Sequence, residues 1–543
     1  MIIEELKYKI LQQFGFPPTQ EQAHALEVFA EFLTDRDPHA VMILRGSAGT
    51  GKTTLSGAIV RTLKEIRQKV MLLAPTGRAA KVFSLNSGSP AYTIHRRIYR
   101  EKSFSGVEGQ FNLNDNLYTD TLFMVDEASM IANMGLGGMS FGSGCLLDDL
   151  VHFVYQGRND RLLLIGDKAQ LPPVGEEESP ALHAAMLEGY GLKVYECDLN
   201  EVLRQSEESG ILYNATMIRQ MITHDDITQL PKIHFAGYSD IKPMPGSELI
   251  EALADSYHHV GLDDTIVVTR SNKRANIFNQ GIRNMVLDRE EELSQGDILM
   301  IVKNNYYWME EERKKIKEKE IEERRVKSEG TELGTDTHQV LSSNLQVQSN
   351  HTVPSSNLQV QSNHTVPSSK FQVQGSQDQS NDIPAFLANG DRAKVLKVRR
   401  RIDLYGFRFA TLLLQFPDYD NYELEATVLL DTLTSEAPAL THEQQEQLFH
   451  QIEEDYLDIP LKADRMKAIR QDQFFNALQV KFAYAVTCHK AQGGQWAHVY
   501  VDQGYMTDDM LNPDYIHWLY TAFTRATEML YLVNWPETQT AQE

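Results

Sequence analysis

An apolar run, Val41-Met42-Ile43-Leu44, leads into Gly46-Ser47-Ala48-Gly49-Thr50-Gly51-Lys52-Thr53 and then into a helix-like segment. In the spacing G-x-x-x-x-G-K-T, backbone N–H groups and the start of the next helix surround a phosphate chain, the lysine reaches the outer phosphates, and the hydroxyl after it ligates magnesium. Lys52 and Thr53 take those places, and Gly46, Ala48, Gly49, Thr50, Gly51 and Thr54 line the loop. The chain is therefore expected to bind a nucleoside triphosphate with Mg2+. Asp126 and Glu127 close a second apolar run, residues 121–125. There Asp126 is placed to hold magnesium, directly or through a water, and Glu127 to polarise an attacking water. Gln170, at the end of Gly166-Asp167-Lys168-Ala169-Gln170, sits where a side chain senses a γ-phosphate. Gln22 could offer its amide to both the donor and the acceptor edge of an adenine, although a glutamine on a helix is usually only solvated.

These residues need a scaffold that brings strand ends together. The runs 69–74, 121–125 and 161–165 are apolar throughout and separated by helical stretches, the pattern of a parallel sheet covered on both faces. In such sheets the site lies outside the carboxyl ends of the strands, where Pro75-Thr76-Gly77-Arg78, Asp126-Glu127 and Asp167–Gln170 fall. A second sheet is expected from 265–270, resumed by 480–486, 499–502 and 529–533. Residues 392–398, 407–416 and 423–430 suggest a small antiparallel barrel carrying a basic tract, Arg399, Arg400, Arg401 and Arg408. Residues 103–111 read as a hairpin whose Phe104 and Phe111 are either its core or a surface wedge. The glycine-rich stretch 131–145 has no lysine in phosphate-loop register and is expected to be a surface loop. Residues 309–327 form a mixed-charge helical run, and the polar segment 342–354 repeats identically at 355–367, which predicts little order there.

The bulk composition narrows the partners. A chain of 543 residues with 42% hydrophobic and 23% charged residues is that of an ordinary globular protein of roughly three to four domains. No apolar run approaches bilayer length and the N-terminus carries Glu4 and Glu5, so a cytoplasmic location without membrane contact is expected. Cys145, Cys197 and Cys488 lack metal-ligand spacing. A formal charge of −23 argues against wholesale binding of polyanions, but a single-strand groove needs few cations. No separate carboxylate cluster supports a nuclease.

Taken together, these motifs resemble the superfamily 1 helicases, and within them the 1B branch of RecD-like and phage Dda-like enzymes. Gln22 matches the Q motif, Gly46–Thr53 motif I, Ala74–Arg78 motif Ia, Asp126-Glu127 motif II, Gly166–Gly175 motif III, Arg204 motif IV, Thr487–Gly493 motif V and Tyr520–Ala526 motif VI with its Arg525. The order is the family's order. The resemblance implies an α/β fold of two RecA-like parallel-sheet domains in tandem, with an inserted β-hairpin pin and an inserted SH3-like small β-barrel. The expected division is a first RecA-like domain over 1–205 with the pin at 98–120, and a second over 206–307 and 466–543. A charged helix and repeat tract at 308–387, and the barrel with a helix at 388–465, interrupt the second domain. ATP would lie between the two RecA-like domains, with Lys52, Glu127 and Gln170 on one side and Arg204 and Arg525 completing the γ-phosphate shell. Pro75, Thr76, His95, Thr487, His489 and Gln492 would hold single-stranded DNA, with Phe104 and Phe111 at a single-strand/duplex junction. Movement 5′ to 3′ by a monomer is implied by the branch alone, and the short stretch before the first motif favours the compact Dda-like plan. The alternative activity is an ATP-driven translocase that remodels protein–DNA complexes without separating strands. A small-molecule kinase would have no use for arginines in two late motifs.

Overall fold

The protein is described by a computed structural model over residues 2–101, 111–134, 142–201, 208–224, 227–332 and 386–541. It divides into two units, Met1–Tyr307 with Phe386–Glu543, and Trp308–Ala385. In the second unit the described residues belong to a helix spanning Tyr307–Glu332, whose exposed face pairs Lys314 with Glu311 at 2.6 Å and Lys315 with Glu312 at 3.3 Å. The tandem repeat at 342–367, the glycines at 135–141 and the hairpin tip at 102–110 lie outside the described residues.

In the first unit the strands run, in chain order, β1 (Ala40–Gly46), β2 (Lys69–Ala74), β3 (Ala91–Thr93), β4 (Tyr99–Glu101), β5 (Phe111–Leu113), β6 (Thr121–Val125), β7 (Arg161–Gly166) and β8 (Lys193–Leu199). Six of them form one wholly parallel sheet in the order β3-β2-β6-β7-β1-β8. Strand alternation explains why both faces are covered. Met42, Leu44, Leu163 and Ile165 point into one core with Phe29 and Leu55 of the helices Gln20–Thr34 and Lys52–Glu65. Val41, Ile43, Leu162 and Leu164 point into the other, with Leu150 and Phe153 of the helix Leu146–Gln156. β4 and β5 pair antiparallel in register Tyr99↔Leu113, forming a separate two-stranded ladder.

The chain continues through β9 (Ile241–Met244), β10 (Thr265–Thr269), β11 (Ile298–Ile301), β12 (Arg392–Leu404), β13 (Phe407–Phe416), β14 (Tyr422–Leu429), β15 (Leu478–Phe482), β16 (Ala485–Thr487), β17 (Trp496–Asp502) and β18 (Ala526–Val533). β16-β10-β17-β18-β9 make the second parallel sheet, and β11 to β15 close into a barrel. The expected strand 480–486 is therefore divided. Leu478–Phe482 completes the barrel beside β11 and β14, and only Ala485–Thr487 enters the sheet. The hand-over occupies two residues: Ala483 donates to the Ile298 carbonyl in the barrel and Tyr484 accepts from Val267 in the sheet, both at 2.9 Å. An apolar run buried on every side looks the same in either setting, so pattern alone could not divide it.

The basic tract of the barrel is largely neutralised by its own surroundings. Arg399 pairs with Glu425 at 2.6 Å, Arg401 with Glu291 at 3.0 Å, and Arg408 with Asp431 at 3.0 Å and with Glu292. A deeper cluster fixes the barrel to the second sheet. Asp297, fully buried, accepts from Arg283 Nε at 3.1 Å, Arg289 Nη1 at 2.9 Å, the Tyr484 hydroxyl at 2.9 Å and the Ser294 N–H at 2.7 Å. Removing the carboxylate leaves Arg283, 4% exposed, without its counter-charge. Asp297→Ala is therefore expected to cost about 3–5 kcal/mol, measured as a lowered midpoint of denaturant unfolding.

Candidate nucleotide and nucleic-acid sites

Because the first sheet is parallel, the ends of β1, β6, β7 and β2 open on one edge. The loop after β1 turns through Gly49 and Gly51 at φ 78° and 80°, conformations that side chains with a Cβ rarely adopt. Its Thr50 hydroxyl donates to the Ser47 carbonyl at 2.8 Å. Lys52 opens the helix Lys52–Glu65 and lays its ammonium across the loop, on the Ser47 carbonyl at 2.9 Å and on that of Gly46. Thr53 and Thr54 are exposed in the first helical turn, beside Gly51, Lys52 and the buried Thr50. Gln22 is fully committed: its amide donates to the Thr50 carbonyl at 2.9 Å, and its oxygen accepts the Thr19 N–H at 3.0 Å in a capping box. It braces the phosphate loop, and neither end of the amide faces outward for an adenine edge in this structure.

Asp126 and Glu127 follow β6, the strand beside β7, and Glu127 holds a left-handed φ of 53°. A non-glycine residue there stores strain of order 1–3 kcal/mol, which persists only where the surroundings impose it. Burial and the neighbouring Glu127 push the Asp126 carboxyl upward, with Lys52 pulling the other way. Gln170 is 6% exposed, and its side-chain oxygen finds no partner among the described residues, a buried acceptor left for something the protein does not supply.

The second sheet meets this edge through several hydrogen bonds. The Tyr520 hydroxyl donates to Asp167 Oδ2 at 2.7 Å and accepts from the Ala48 N–H of the phosphate loop at 3.0 Å. Thr521 accepts from the Leu171 N–H at 2.7 Å, Gln492 donates to the Leu171 carbonyl at 2.7 Å, and His517 bonds the Ala169 carbonyl at 2.9 Å. Arg219, on the helix Gly210–Thr223, reaches the Ser47 hydroxyl. Sequence reasoning passed over Tyr520, Thr521 and Arg219. The first two lie inside the motif VI stretch, whereas Arg219 is a lone arginine on a helix with no pattern to mark it.

Two expectations come out differently. Gln492 spends its amide on Leu171 and is 7% exposed, so it joins the two sheets instead of facing a strand. Arg525, 3% exposed, bonds Thr521 O at 3.0 Å, Gly494 O at 3.1 Å and Thr524 Oγ1 at 3.1 Å, all within its own half of the molecule. It is not presented to the phosphate loop here, because the Thr521 and Gly494 carbonyls satisfy it first. Arg204 and Phe104 lie outside the described residues, and of Phe111 only the backbone, in β5, is described.

The remaining strand-binding candidates gather elsewhere along the same edge. Pro75 and Thr76 follow β2, His95 follows β3, and Thr487 ends β16. Gly493, at φ 71°, lies so close to the motif Ia helix that an added Cβ would come within 3.1 Å of the Thr76 hydroxyl and 3.0 Å of Ala79. Thr76 caps that helix by accepting from the Ala79 N–H at 3.2 Å, and Thr487 is half-buried beside the exposed His489. Arg78 stacks over the Trp496 ring at 4.2 Å and donates to the Gln495 carbonyl at 2.7 Å. The nucleotide residues thus follow β1, β6 and β7, and the strand-binding candidates follow β2, β3 and β16. Burial pushes the His95 imidazole down to about 4, so it would meet a phosphate as a neutral donor and not as a cation.

Residues 18–230 match the AAA domain family, and residues 482–533 match the UvrD-like helicase C-terminal domain. The first segment contains motifs Q to IV and the second motifs V and VI. Among curated proteins, the chain is 32% identical over 157 residues to the ATP-dependent RecD2 DNA helicase of Deinococcus radiodurans, covering 29% of this chain and 18% of that protein. It is 24% identical over 302 residues to the ATP-dependent DNA helicase dda of Enterobacteria phage T4, covering 52% of this chain and 60% of that one. The resemblance to the superfamily 1B helicases holds. An uncharacterized protein of Methanocaldococcus jannaschii is 34% identical over 168 residues, or 29% of this chain and 13% of that one, so the chain spans less than two thirds of each of these relatives. Neither domain match extends over the barrel strands β11 to β14. No described helix is long and apolar enough to cross a membrane.

The depressed His95 value carries a pH signature. An ordinary histidine titrates near 6.5, so the half-buried neutral ring contributes stability that is complete above about pH 6.5 and is lost as the pH falls towards 4. Replacing His95 with Gln should flatten that part of the profile, shown by unfolding midpoints at pH 7 and pH 5 lying closer together than in the unaltered chain.

Proposed function

We propose that the chain is an ATP-dependent DNA helicase that moves along single-stranded DNA, 5′ to 3′, and separates duplexes, driven by ATP hydrolysis between its two sheets. The observation that carries this reading is the cross-sheet bonding of the phosphate loop: Ala48 to Tyr520 and Ser47 to Arg219. A nucleotide entering that loop must displace or rearrange groups from the opposite sheet, so binding and hydrolysis change how the two halves meet. The names of the RecD2 and dda relatives point the same way.

The donor set suits ATP with Mg2+. The Thr53 hydroxyl and the Asp126 carboxylate are hard oxygen ligands of the kind magnesium takes, one or two from protein with the rest from phosphate and water. When bound, the ion would offset phosphate charge. Lys52 would leave the Gly46 and Ser47 carbonyls for the outer phosphates, Glu127 would take a proton from the attacking water, and Gln170 would offer its unpartnered amide oxygen to that water. Thr76 and Gly493, pressed together across the halves, would change their spacing as the halves shift. A strand held by phosphates at Thr76 and Thr487 would then be gripped alternately.

Single-stranded DNA should raise the ATPase rate, and a duplex with a 5′ tail should be opened while one with a 3′ tail is not. Lys52→Ala and Glu127→Gln should each lower ATP turnover by on the order of 10³-fold or more, since each removes a group acting directly on the transferring phosphoryl or its nucleophile. Turnover surviving both substitutions would contradict the site, and displacement of a bound protein without duplex opening would favour the remodelling translocase.

A further inference from the structure

Among the described residues, the arginine that stands against the phosphate loop is one that no motif marks. Lys52 identifies which end of the loop receives the outer phosphates, because its ammonium lies on the Gly46 and Ser47 carbonyls. At that same end the Arg219 guanidinium meets the Ser47 hydroxyl, with Nη2 3.5 Å from the Asn200 carbonyl. Both of these partners are neutral. Among the described residues no carboxylate pairs with Arg219, whereas Arg45, at the end of β1 beside the same loop, pairs with Asp198 at 2.6 Å. Tyr520 lies close enough to feel its charge. The result is a half-buried cation without a counter-ion among the described residues, aimed at the place where an outer phosphate would sit.

Arg525 offers a contrast. Its guanidinium is tied to two carbonyls and a hydroxyl of its own half, and turning it towards the loop would break three buried hydrogen bonds. Arg219 has only a neutral hydroxyl and a carbonyl 3.5 Å away to exchange for charged oxygens. The segment beneath it is held in place as well: Glu21, beside Gln22, accepts the backbone N–H groups of Asn200 and of Glu201, the latter at 2.7 Å. The carbonyl that Arg219 approaches is thereby fixed to the same helix that braces the phosphate loop.

We propose that Arg219 is a catalytic residue of the nucleotide site, moving from the Ser47 hydroxyl onto the γ-phosphate and offsetting the charge that develops there; this rests on the ATPase reading above. In the step it serves, the oxygen of a water forms a bond to the γ-phosphorus while the bond from that phosphorus to the β–γ bridging oxygen breaks. ADP keeps the electron pair, one proton of the water passes to Glu127, and inorganic phosphate is the second product. Arg219 transfers no proton. Its planar fork binds two phosphate oxygens at once, which the point charge of a lysine does not reproduce.

The test is single-turnover ATP hydrolysis with saturating single-stranded DNA, paired with ADP affinity measured by equilibrium binding. Arg219→Ala should hydrolyse ATP about 10³-fold more slowly, the low end of what an arginine on a transferring phosphoryl group supplies, while its ADP affinity stays within about threefold because ADP lacks the γ-phosphate. Arg219→Lys should recover little of the rate, and added methylguanidinium should restore part of it to Arg219→Ala. Hydrolysis within tenfold of the unaltered chain would overturn the proposal, as would a parallel loss of ADP affinity, which would mark Arg219 as a brace of the loop. An active unaltered chain with an indifferent Arg219→Ala overturns the role of Arg219 alone, whereas an unaltered chain without ATPase activity overturns the reading it rests on too.

Discussion

Between the phosphate loop and the opposite sheet stands one buried phenol, and much of the site's logic follows from its two bonds. Tyr520 donates to Asp167 and accepts from the Ala48 N–H, so a single hydroxyl joins the loop after β1, the loop after β7 and the helix Pro513–Phe523. Burial and the adjacent Asp167 hold that phenol protonated far above its ordinary range, which keeps it a donor at every physiological pH. A hydrogen bond buried this deeply is worth about 1 kcal/mol when made and costs more when one partner is left without it. The halves are therefore joined by contacts weak enough to exchange and directional enough to register whether they have been exchanged. Thr521 on Leu171, and Gln492 on the same residue's carbonyl, extend the seam along the loop after β7.

The seam also explains the placement of polar groups that would be costly elsewhere. Gln170 keeps a buried acceptor unpartnered and Glu127 holds a left-handed backbone conformation. Both stand at strand ends facing the seam, where groups that the chain itself does not supply can repay the cost. In the two cores on either side of the sheet the neighbours are mainly Val, Ile, Leu and Met, and the buried Tyr99 hydroxyl has its partner in Asp149 at 2.6 Å.

The barrel is built on a different constraint. Its strands come from three separate stretches, 298–301, 392–429 and 478–482, and Asp297, just before the first, ties them to Arg283 and Arg289 outside the barrel. Because β15 passes into β16 within two residues, the barrel and the second sheet share one continuous backbone. Lys81, on the motif Ia helix, adds a contact from the first half, bonding the Pro417 carbonyl at 2.5 Å and pairing with Asp418 at 3.6 Å. Movement of the motif Ia helix is thus felt at the barrel as well as at the second sheet.

What the sequence determined by itself was the chemistry read over short spans. The spacing of Gly46, Gly51, Lys52 and Thr53, the acids at 126 and 127 and the apolar runs before them depend on backbone geometry within a few residues, so they are legible without a fold. Tertiary structure decided which groups meet across long separations. It turned Gln22 inward to Thr50 and Gln492 onto Leu171, since a side-chain amide bonds whichever carbonyl the packing brings nearest. It tied Arg525 to its own helix end and brought Arg219 to Ser47, 172 residues away in sequence. It also split one apolar run between a barrel and a sheet. Periodicity records that a residue is buried, and only the closed fold records against what.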